Sequence, residues 1–155
     1  MYSIKVFQEK EVEKNMKKED LTTADMICEA IGAVSAFIYI GLQIYCGILY
    51  GTGSFTILTN VAMVLLVYAG LTILSGCPEK VNRLEPEVCR GQVRRLTIHM
   101  LLYVKLVFIL SLLFTSVCDV IGMEIDEGYS LISTGLIVLI AVGYEIKIFQ
   151  ILKSE

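Results

Sequence analysis

Four long apolar runs, Ile31–Tyr50, Phe55–Leu74, Leu96–Val117 and Tyr129–Phe149, constrain this chain more than anything else in it. Each is close to the roughly 20 residues an α-helix needs to cross about 30 Å of hydrocarbon. More than half of the 155 residues are apolar, and few charges fall within the runs. The sequence therefore predicts an all-α, polytopic membrane four-helix bundle with antiparallel up-down topology. The predicted organisation is a short arm over 1–23, a frayed helix or disordered, then a transmembrane domain over 24–155. Its spans are 31–50, 55–74, 96–117 and 129–149, with a polar loop at 75–95. Nothing outside the spans is long enough for a separate soluble domain.

Charge placement predicts the orientation. Lys5, Lys10, Lys14, Lys17 and Lys18 precede the first run, Lys80, Arg83, Arg90, Arg94 and Arg95 lie between the second and third, and Lys153 follows the fourth. The connections Gly51–Ser54 and Asp119–Gly128 carry no Lys or Arg, and the second is acidic. Four spans put all the basic segments on one side, and the positive-inside rule makes that side cytoplasmic. The expected location is the cell membrane, with both termini inside. The first 30 residues are charged and have no continuous apolar core, so the first span is expected to serve as an uncleaved anchor. Thr22, Thr23 and Asp25 offer N-caps for a first helix starting near Ala24.

The five cysteines contain no CxxC pair and include Cys77 and Cys89 on the expected reducing side, so free thiols are expected. Neither these nor the single His99 has the spacing of a structural zinc site, and no cofactor is expected.

Polar residues inside the runs are the candidate sites. Counting from the outer ends at ~1.5 Å per residue, Gln43 lies ~10 Å deep and Asn60 ~8 Å deep on adjacent antiparallel helices. A hydrogen bond between these amides would relieve the cost of placing them in hydrocarbon. Lys105 lies ~21 Å deep and Glu145 ~24 Å deep on neighbouring helices, with Tyr68 near the same level. A Lys105–Glu145 ion pair with Tyr68 donating to Glu145 is one reading. Snorkelling of both charges to the headgroups is a second, and an ion or proton pathway a third. Lys80, Arg90, Arg94 and Arg95 are candidate contacts for anionic lipid, although they also satisfy the topology rule with no further role. A stripe of small and polar residues on the first helix, through Cys28, Gly32, Ser35 or Ala36, Tyr39 and Gln43, is expected to face the bundle.

No protease, phosphatase or acyltransferase motif occurs. The sequence therefore points first to a non-enzymatic membrane protein that binds a partner or serves as a subunit. Its expected partners are membrane lipids and a second copy or another membrane protein, with no nucleic acid. A small transporter or channel using Lys105, Glu145 and Tyr68 is the alternative, and a water-accessible cavity reaching Lys105 would favour it. A membrane enzyme would instead require His99, Glu29, Arg94 and Glu145 to converge.

Overall fold

The computed structural model describes residues 22–81, 83, 89, 91–126 and 128–154. The N-terminal arm lies outside these residues, apart from its last two positions. Four helices make up the bundle: α1 (Thr23–Tyr50), α2 (Ser54–Gly76), α3 (Gly91–Ile121) and α4 (Gly128–Ser154). Among the described residues there is no strand. All four are long and apolar enough to cross a membrane, so the chain is a multi-pass membrane protein with an all-α four-helix bundle fold.

Local chemistry sets the helix ends. Thr22 caps α1 in a reciprocal box: its hydroxyl accepts from the Asp25 backbone N–H, while the Asp25 carboxylate accepts from the Thr22 backbone N–H at 2.8 Å. The helix thus begins eight residues before the apolar run that marks it in the sequence. At its other end Gly51 adopts a left-handed conformation, φ 65°, which glycine adopts without a Cβ penalty. The turn to α2 is then only three residues long, which makes α1 and α2 an antiparallel hairpin. Pro78 cannot continue α2 because it has no N–H to donate, and it opens a short 3-10 turn over Pro78–Lys80.

The four helices are not equivalent. At 31 residues α3 is ~46 Å long, and it packs against all three others. The α1–α3 and α3–α4 interfaces are the most extensive, whereas α1 and α2 touch less despite their short connection. The apolar centre is Ala36 and Tyr39 of α1, Val64 of α2 and Ile109 of α3. On the opposite side of α3, α4 docks through Tyr144 stacked on Tyr103 and Tyr129 tilted against Phe114, with Ile148 set against Val93 near the basic end. The buried residues of α1 are Asp25, Gly32, Ser35, Ala36 and Tyr39, so its small and polar stripe faces inward. Large apolar side chains such as Phe55, Leu66 and Leu131 cover the outside, as lipid contact requires.

This division predicts a contrast in stability. Ile109 is fully buried and Leu131 is 77% exposed. Ile109→Ala should lower unfolding stability in mild detergent by about 2 kcal/mol, the low end for such truncations, because lipid is as apolar as the core and mainly packing is lost. Leu131→Ala should change it by less than about 0.5 kcal/mol. Equal effects would contradict the assignment of these faces.

Candidate functional site

Two polar layers interrupt the apolar interior. The first lies toward the acidic end of the bundle. Asn60 Nδ2 donates to Gln43 Oε1 at 3.0 Å, and Gln43 Nε2 donates to Ser116 Oγ at 2.8 Å. Gln43 thereby ties α1 to both α2 and α3. Ser116 is 3% exposed, and its role is not legible in the sequence, where it is one of two serines in a long apolar run.

The second layer lies toward the basic end and is charged. Lys105 Nζ donates to both carboxylate oxygens of Glu29, at 2.6 and 2.5 Å, and to Thr72 Oγ1 at 3.2 Å. Its three N–H bonds are therefore all used. The ammonium also lies 4.7 Å from the centroid of the Tyr68 ring, whose hydroxyl donates to Glu29 Oε1 at 3.4 Å. Close by, His99 Nε2 lies 2.9 Å from Asp25 Oδ2, which also accepts from the Thr22 hydroxyl at 2.6 Å. The group that caps α1 thus also anchors it to α3.

The expected partner of Lys105 is corrected here: it is Glu29, not Glu145. Glu145 lies on α4, half-buried, with no hydrogen bond or ion pair among the described residues. Tyr68 likewise donates to Glu29 rather than Glu145. The physical reason is angular. Counting residues fixes depth along a helix but not direction around it. Tyr103, which faces α4, is two positions from Lys105, or about 200° around α3. Lys105 therefore points away from α4, toward the α1–α2 hairpin. A sequence clue to Glu29 did exist: Asp25, Glu29, Gly32, Ala36, Tyr39 and Gln43 follow alternating steps of four and three on one helical face.

Beside the charged layer is a cavity of about 530 Å³ between the inner halves of α1 and α2, floored by α3. Asp25, Met26, Glu29, Ala30 and Ala33 form one wall, Leu71, Thr72, Ser75 and Gly76 the other, and Arg94, Ile98, Leu101, Leu102 and Lys105 the floor. The ion pair is asymmetric with respect to it: the Lys105 side chain is 4% exposed and that of Glu29 is 40% exposed. Of the four basic residues considered for lipid contact, Arg94 is half-buried and lines the cavity, Lys80 and Arg95 are exposed, and Arg90 lies outside the described residues. His99 and Glu145 do not line it. A broader, open basin of about 1040 Å³ at the acidic end is lined by Asp119, Glu124, Asp126 and Tyr129, among others. None of the five cysteines is in a disulfide among the described residues.

No protein-family model, curated protein or solved structure matches this chain. Its candidate site therefore rests on geometry alone.

Only the Lys105 side of the pair is buried; removing its partner leaves that ammonium uncompensated, at a typical cost of about 3–5 kcal/mol, whereas removing both charges can be close to neutral. Glu29→Gln alone should therefore reduce stability and yield far more than Glu29→Gln combined with Lys105→Met. Glu145→Gln should be nearly silent, and a coupling of Lys105 to Glu145 rather than Glu29 in a double-mutant cycle would refute the pairing. In the other layer, Gln43→Leu breaks two hydrogen bonds and Asn60→Leu one. The first should cost about 1–2 kcal/mol and the second about half as much, measured by detergent-phase unfolding.

Proposed function

We propose that this chain is a small non-enzymatic membrane protein, with both termini cytoplasmic, that binds a small solute in the cavity beside Lys105 and Glu29 as the binding step of a carrier. The observation that carries this reading is a cavity of about 530 Å³, within the range of small-molecule sites, reaching an ion pair within the bundle. Charged groups inside a membrane are costly, and they tend to mark a pathway or binding site when they border a cavity. Orientation is supported by the basic segments gathered at the end where α2 meets α3 and by the acidic residues at the other end.

A role as a subunit of a larger assembly is a second reading, favoured by a different observation. Helix α4 rests chiefly on α3, and large apolar residues such as Leu131, Ile132 and Leu139 remain uncovered around it. Lipid, a second copy or another membrane protein can cover such a surface. Recovery of a stoichiometric companion from the native membrane, lost on substitution of these residues, would favour the subunit reading.

Both orientation and access are testable by cysteine labelling in a cysteine-free background. In sealed right-side-out vesicles an impermeant thiol reagent should label Gly128→Cys but not Lys80→Cys, and opening the vesicles should expose the latter. Ala33→Cys, on the cavity wall, should react with a small water-soluble reagent supplied from the cytoplasmic side, while Leu131→Cys stays unreactive. A reversed pattern for the first pair overturns the orientation, and an inert Ala33→Cys overturns the solute-binding reading.

A further inference from the structure

The polar groups of the cavity share an unusual chemical bias. Every N–H of Lys105 is already used, two on Glu29 and one on Thr72. The Thr72 hydroxyl gives its proton to the Tyr68 carbonyl at 2.8 Å, and the Ser75 hydroxyl gives its proton to the Thr72 carbonyl at 2.7 Å. Both hydroxyl oxygens keep acceptor capacity. A carboxylate offers about four acceptor sites, and Lys105 and Tyr68 occupy three of those on Glu29. Arg94 also lines the cavity, but it is engaged in an interaction of its own. The groups around the ion pair thus have their donors committed and acceptors left over, with a partly exposed carboxylate at the centre. Asp25 lines the cavity too, its carboxylate accepting from the Thr22 N–H and hydroxyl; the rest of the wall, including Met26, Leu71 and Leu101, is apolar.

A solute suited to this wall brings its own N–H donors, a positive charge and an apolar body. We infer that the cavity binds an amphipathic amine, its ammonium hydrogen-bonded to Glu29 and the Thr72 and Ser75 oxygens and its apolar part against Met26, Leu71 and Leu101. The inference rests on the solute-binding reading above and names the ligand class. An anionic solute would meet the Glu29 carboxylate and find the Lys105, Thr72 and Ser75 donors committed, with Arg94, itself engaged, the cation left to oppose that repulsion. A neutral apolar molecule would leave the remaining carboxylate site unused.

The test uses the full chain in phosphatidylcholine nanodiscs, with protein-free discs as the blank, and three probes of one shape: benzylammonium, benzyl alcohol and benzyl phosphate. Benzylammonium should bind saturably and about tenfold or more tighter than benzyl alcohol, as expected for a charge-assisted hydrogen bond. Ala30→Phe, which fills the cavity and leaves both charged residues in the chain, should abolish that binding. Glu29→Gln combined with Lys105→Met, which leaves no unpaired charge to unfold the bundle, should abolish it as well. Tighter binding of benzyl phosphate, weakened by Arg94→Gln, would overturn the amine class in favour of an anion. Equal binding of benzyl alcohol would show that charge is irrelevant and overturn it too, and amine binding untouched by either cavity variant would place it elsewhere. The first two results leave solute binding itself standing. Absence of saturable binding by all three probes overturns the amine class, and if Ala33→Cys is also inert toward water-soluble thiol reagent, the solute-binding reading falls with it.

Discussion

An ammonium on the apolar third span can remain charged there only if its surroundings replace the water it has lost. In this protein Lys105 obtains that replacement from three directions: two oxygens of Glu29, the hydroxyl oxygen of Thr72 and the face of Tyr68. Each comes from α1 or α2, so satisfying one charge brings three helices to a common point. Gly32 belongs to the same arrangement. It lies under Tyr68, where a hypothetical Cβ would sit 3.4 Å from the phenol oxygen, an ordinary van der Waals contact, so the ring packs directly against α1 on its way to Glu29. Because the partners of Lys105 come from the hairpin, the opposite face of α3 is left for α4, which uses aromatic packing instead of charge.

The two polar layers constrain different things. The Gln43–Asn60–Ser116 bonds are neutral, short-range and close to the turn that already joins α1 to α2. They fix helix register in a region where the chain has little freedom. The charged layer lies at the far end of the hairpin, where nothing covalent holds α1 near α2 and the two helices leave a cavity between them. There the connection runs through α3. The Asp25–His99 contact and the Lys105–Glu29 pair hold α1 to it, while Thr72 holds α2. Apolar surface alone cannot choose among helix arrangements in lipid, since lipid tails are equally apolar. The polar contacts are what make one arrangement better than the rest.

Most of the fold was legible in the sequence because span length and hydropathy follow directly from bilayer thickness. Helix ends were partly legible: Thr22 and Asp25 were recognisable as a cap, and the start expected near Ala24 lies one residue from the observed Thr23, well ahead of the apolar run. At the candidate site, depth could be read and azimuth could not. Lys105, Tyr68 and Glu145 do lie at comparable levels, yet only the packing of α4 on the Tyr103 side of α3 excludes Glu145 from the pair. Glu29 precedes the apolar run, so depth counting within the spans does not pair it with Lys105. The long side chain of Lys105 meets it there. The cavity had no counterpart in the sequence at all, since it results from how far two helices diverge.

The order in which charged residues occur along the chain has a consequence for biogenesis. Synthesis delivers Asp25 and Glu29 with α1, well before His99 and Lys105 arrive with α3. The emerging α1–α2 hairpin already holds both amides of its neutral layer, but its two carboxylates lack their basic partners. Entry of α3 supplies both at once, on one helix. The third helix therefore brings the partners of both carboxylates together, and α4 is added to a core whose described charged contacts are complete without it.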